Sequence, residues 1–120
     1  MLVTPNLDDL TVCFSDAAWR HDLNMAAFGC IFTDKQGNII YQASRTEKNV
    51  SAPRVVEALA LRFALLTSLS QGFSEICFNT DCQALVLALS STAPPADLYG
   101  IILDIEHLSS SFSQRLELLS

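Results

Sequence analysis

The chain has 120 residues, half of them apolar, which suits one compact domain around a single core. Its longest apolar stretch, around 55–69, is interrupted by Glu57, Arg62 and Thr67 and is too short to span a membrane. The net charge of −6 argues against tight, indiscriminate binding to phosphate backbones; residues 20–62 carry +2 and residues 63–120 carry −5, so any nucleic-acid face draws on the first half.

Residues 1–9 read as a loose lead-in broken by Pro5 and Asn6. They hold Asp8 and Asp9 and no basic residue, unlike a secretory signal or transit peptide, so an intracellular chain, nuclear or cytoplasmic, is expected. Leu10 to Ala17 alternates with the period of a strand, placing Leu10, Val12, Phe14 and Asp16 on one face. A second apolar run, MAAFGCIFT (25–33), is followed by the turn DKQGN, in which Gly37 accepts positive φ, and by a returning strand at 39–45. Three strands in sequence with short links predict an antiparallel meander.

Pro53 suits the first turn of a helix, and Val55 to Leu69 continues it, buried on much of its surface, until Gly72 stops it. Residues 75–79 (EICFN) form a short strand, and Thr80-Asp81 opens a second helix to about Leu89. After Pro94-Pro95, the residues Leu98, Ile101, Ile102, Ile105, Leu108 and Phe112 repeat along one helical stripe. The tail, 113–120, is either a brief edge strand or a frayed end. This order predicts an α/β domain with a mixed sheet, three antiparallel strands plus a parallel one, and helices packed on its faces. Cys13, Cys30, Cys77 and Cys82 lack paired CxxC spacing and lie mostly in apolar runs, so packed, reduced thiols are expected rather than a zinc site.

Three carboxylates stand out. Asp16 shares a strand face with apolar residues at that strand's C-terminal end, where an unpaired buried carboxylate is costly; its bland explanation is a solvated turn. Glu57, on a helical stripe with Ala60, Leu61 and Ala64, would also suit the dipole of a first turn or pair with Arg54. Asp81 follows a strand and opens a helix, as an N-cap does, and such strand ends are also where open α/β sheets place ligands. Two carboxylates at strand ends and one on the intervening helix can converge. Close carboxylates repel unless a cation neutralises them, and hard oxygen donors suit Mg²⁺ or Mn²⁺. Such centres run metal-assisted phosphoryl chemistry.

The ordered segments FSDAAW (14–19), FGCIFTDKQGNII (28–40), VVEALALRFAL (55–65) and ICFNTDCQALV (76–86) resemble the ribonuclease-H-like domains common in plant genomes, relics of reverse-transcriptase-bearing elements. The resemblance spans about residues 11–112 of one domain, 1–120. It implies that Asp16, Glu57 and Asp81 are catalytic metal ligands, Asp16 bridging two ions, in hydrolysis of the RNA strand of RNA–DNA hybrids. Two departures qualify the expected activity. Ala17 stands where the family usually has glycine, and the terminal QRLELLS does not match the helix that carries the family's fourth aspartate. A truncated chain with weak or no cleavage is therefore expected, and the alternative is an inactive binding or dimerisation module. Arg20, His21, Asn24 and Asn49 are candidate nucleic-acid contacts, unless they are simply solvated loop residues. Trp19 either stacks on a base or packs a core edge.

Overall fold

A computed structural model describes residues 11–50, 52–73, 76–79, 91 and 93–110. Three strands, β1 (Thr11–Arg20), β2 (Met25–Thr33) and β3 (Ile39–Lys48), form the expected antiparallel meander, β1 and β3 each running three residues further than the sequence pattern suggests. Helix α1 (Pro53–Ser70) follows, then β4 (Ile76–Asn79) and α2 (Ala96–Ser109). The sheet order is β3-β2-β1-β4, with β4 parallel to β1. The mixed sheet expected from the sequence is therefore present. The helix expected from Thr80 to Leu89, the lead-in and the tail lie outside the described residues.

Local chemistry explains the element ends. Asp34 closes the β2–β3 turn by accepting from the Gln36 and Asn38 backbone N–H groups at 3.0 and 2.9 Å, and Gly37 takes φ 86°. The Asn38 N–H, foremost, holds the Asp34 carboxyl below its usual range. Helix α1 begins with Pro53, whose missing N–H costs nothing there. It ends in a Schellman arrangement: Gly72, at φ 76°, donates to the Leu69 carbonyl, and Phe73 donates to that of Ser68.

Both described helices lie on one side of the sheet. Cys13, Cys30 and Phe32 from the strands meet Leu61, Ala64 and Leu65 of α1, Ile76 and Phe78 of β4, and Leu98, Ile102 and Ile105 of α2 in one buried cluster. A second cluster joins Ala26 and Phe28 to Val50, Val56, Leu59 and Ala60. The two helices are further tied by Arg54–Asp97 and Arg62–Asp104 ion pairs at 2.9 and 3.0 Å. Arg54 thus joins the two helices.

One expectation is reversed. In β1 the phase of Thr11 and Cys13 is buried, and Phe14, on the phase of Asp16, is 46% exposed. Both phases carry apolar side chains, so alternation alone could not decide which faces the helices; Cys13, behaving as a small hydrophobe opposite Phe32, takes the inner position. The described thiols Cys13, Cys30 and Cys77 are unbridged, as expected, and the first two are buried.

Candidate functional site

The face of the sheet turned away from α1 carries an open groove of about 910 Å³, lined among others by Phe14, Asp16, Ala18, Gly29, Ile31 and Ser44. Its shape follows from strand register. Across β1, β2 and β3, Asp16 stands opposite Gly29, and Gly29 opposite Ser44. Glycine leaves the row without a side chain between carboxylate and hydroxyl, flanked by Phe14–Ile31 on one side and Ala18–Ala27 on the other. The glycine also relieves crowding, because a Cβ there would sit 3.1 Å from the Ala43 carbonyl oxygen.

Asp16 is exposed, and its Oδ1 accepts the Ala17 backbone N–H at 3.0 Å. It lies inside β1, not at that strand's end as the sequence suggested. Among the described residues the β1–β4 ladder runs as far as Phe14–Asn79, so Asp16 stands two positions beyond the described pairing. Open α/β sheets place their ligands beyond the carboxyl ends of their parallel strands.

Glu57 is the fifth residue of α1, so it sits past the first turn, where no acidic residue is found. It is half-buried and shares its stripe with buried Ala60, Leu61 and Ala64, as expected. Asp16 rides the open face and α1 packs on the opposite one. Asp81 lies outside the described residues, and among the described residues no three His, Cys, Asp or Glu side chains group as a metal site.

The four candidate nucleic-acid residues gather at the hairpin end of the sheet. Arg20 closes β1 and binds Asp22 through two contacts of 3.0 and 2.7 Å, which hold the Asp22 carboxyl below its usual range. His21 meets Trp19 edge to face at 5.3 Å. Asn24 and Asn49 have φ of 45° and 61°, left-handed positions that asparagine tolerates better than most residues. Both therefore have a backbone reason to be asparagine. Trp19 packs a core edge, and its Nε1 donates to the Val50 carbonyl at 2.8 Å.

Gly29 and Ser44, which shape the groove, were not singled out from sequence. A glycine inside an apolar strand was the available signal, because such a residue often marks close backbone approach.

A family model described as reverse transcriptase-like matches residues 14–117. No curated protein matches the chain in sequence. Among solved structures, RNase H1 from the halophilic archaeon Halobacterium salinarum is 21% identical with a TM-score of 0.80, over 92% of this chain and 83% of that one. The N-terminal RNase H domain of a Mycobacterium tuberculosis protein is 18% identical with a TM-score of 0.78, over 92% and 81%. An RNase H1 isolated from compost, solved in complex with an RNA/DNA hybrid, is 19% identical with a TM-score of 0.79, over 91% and 83%.

Proposed function

The chain belongs to the reverse transcriptase-like family and has a ribonuclease-H-like fold, and on that premise we propose that it binds RNA–DNA hybrids and hydrolyses their RNA strand through Asp16, Glu57 and Asp81. The observation that carries this reading is Asp16 itself. A carboxylate on an inner strand, between Phe14 and Ala18 and facing a glycine, has no packing role and lines an open groove. Because Asp16 is exposed, its charge carries no burial penalty and is open to a ligand entering the groove. One structure of the same fold was solved with an RNA/DNA hybrid bound, which supports a hybrid as the substrate class.

The donor chemistry fits a divalent cation. Asp16 and Glu57 offer hard carboxylate oxygens, and the described thiols Cys13 and Cys30 are buried in the core. Asp16 would be the principal ligand of Mg²⁺ or Mn²⁺ in the groove; because α1 packs on the opposite face, Glu57 would reach the same ion only around the sheet edge, and Asp81 would be the third ligand. When bound, such an ion lowers the pKa of its water and offsets charge on the phosphodiester. The chain's own groups do the rest. The Ala17 N–H fixes the Asp16 carboxylate by its Oδ1, and Gly29 keeps the approach to it open. Arg20, His21, Asn24 and Asn49, at the hairpin end, are the proposed contacts to the hybrid, with Arg20 positioned by Asp22.

The test is a labelled hybrid incubated with the chain and Mn²⁺, beside the Asp16→Asn protein. Cleavage by the parent, weak at most, that disappears in the variant is the expected result. Cleavage of equal rate in both proteins would overturn the assignment of Asp16. Hybrid binding without cleavage would favour a binding module, and no binding at all would overturn the reading.

A further inference from the structure

Strand β3 forms one border of the sheet, and among the described residues no strand pairs with its outer edge. An exposed edge presents a row of unsatisfied N–H and C=O groups that templates another strand, so edges are usually blunted by proline, a bulge or charged side chains. The β3 edge is only partly protected, and its charges are arranged to suit a partner of the same sequence. It contains no proline, and its one register irregularity lies at its beginning, beside Phe32 and Thr33. Its charges are of both signs, in the order Arg45-Thr46-Glu47.

That triplet is its own complement when the strand is reversed. With two β3 strands antiparallel about a twofold axis at Thr46, each Arg45 stands opposite the other copy's Glu47, and Ser44 stands opposite Lys48. Other registers are poorer. An axis at Arg45 or at Glu47 sets like charges face to face, and an axis at Ser44 sets Arg45 against Ala43 and Glu47 against Tyr41. Directly opposed unlike charges stabilise a strand pair and like charges destabilise it. Arg45 and Glu47 are well placed for this: they lie 3.5 Å apart on one side of their strand, with 57% and 31% of their side chains exposed. An isologous contact of this kind is the commonest way for a chain to pair with itself.

We propose that the β3 edge is a self-association surface, pairing antiparallel about Thr46 with the same strand of a second copy. The axis is perpendicular to the sheet, so the joined sheet keeps both pairs of helices on one side and both Asp16 grooves on the other.

The experiment is sedimentation of the intact chain up to roughly 200 µM, because an edge-only contact falls among small, weak interfaces. The parent should show a concentration-dependent dimer. Arg45→Glu and Glu47→Arg should each weaken it by more than about tenfold, since each sets like charges opposite one another. Mixed in equal amounts, the two variants should form a one-to-one heterodimer, because one chain then presents two acids and the other two bases. Rescue by mixing separates this contact from the ion pair within a single strand, which mixing cannot restore. Circular dichroism of each variant checks that it is folded. A parent that stays monomeric, a dimer indifferent to both reversals, or a mixture that stays monomeric would each overturn the proposal.

Discussion

Replacing Asp16 by asparagine keeps the side chain's shape and removes its charge. The carboxylate is exposed, and its described hydrogen bond, from the Ala17 N–H to Oδ1, can be kept by the asparagine carbonyl oxygen. Without metal the variant should therefore match the parent to within about 0.5 kcal/mol. Metal separates the two. A cation that binds only the folded chain stabilises it by about 2.7 kcal/mol at a hundredfold excess over Kd. For a domain near 100 residues, with roughly 4–8 °C per kcal/mol, that is a rise of more than about 10 °C in Tm. Asp16→Asn should lose most of this rise, because it removes the ligand that lines the groove. The assay is a thermal melt of both proteins across a Mn²⁺ series, with Ca²⁺ as a second hard cation. Equal Mn²⁺ shifts in parent and variant would refute the argument, as would a parent whose Tm ignores Mn²⁺ at millimolar levels.

Gly72→Ala should destabilise the chain by about 1 kcal/mol or more, read as a lower urea midpoint at unchanged slope, because φ 76° penalises any Cβ. Open space around that position means strain alone is at work, so Gly72→Asn should cost less. The turn at Asp34 should give a pH signature. Its carboxyl is held low by the Asn38 N–H, so it stabilises the fold above the ordinary carboxylate pKa, and this contribution fades as pH falls through the lowered value. Asp34→Asn should therefore cost stability at neutral pH, and the gap from the parent should close in acid. A gap that widened below pH 4 would contradict the assigned direction.

The meander and the long helix were legible in the sequence because their signals were redundant: alternation, a DKQGN turn, Pro53 and Gly72 all agree with one another. The phase of β1 was not, because Val12 and Phe14 are more apolar than Thr11 and Cys13, and yet the second pair faces the helices. Which side faces the helices is decided across the sheet, by Cys13 meeting Phe32 and Phe78, and no local window contains that information. The same blindness hid the groove. Asp16 was visible as a charge among apolar residues, but its relation to Gly29 and Ser44 depends on the register of two strand pairs. The Arg54–Asp97 pair was equally out of reach, because packing of α2 brings Asp97 to Arg54 from 43 residues away. The stripe of Glu57 with Ala60, Leu61 and Ala64 was readable from helical spacing, because those side chains share one face whatever packs upon it.

Val50 lies between two parts of the chain that have to keep step. Its N–H donates to Asn24 in the hairpin turn, its carbonyl accepts from Trp19 in β1, and its side chain is buried beneath α1. Three residues later α1 begins at Pro53, and Glu57 follows within it. The corner therefore works as a clamp: any rotation of the hairpin is passed through Val50 to the root of the helix. Asp16 and Glu57 leave this clamp on separate arms, one along β1 and one along α1. Their relative placement thus depends on the Val50 corner, and loosening the Trp19 anchor would blur the spacing of the two carboxylates while leaving both of them in place.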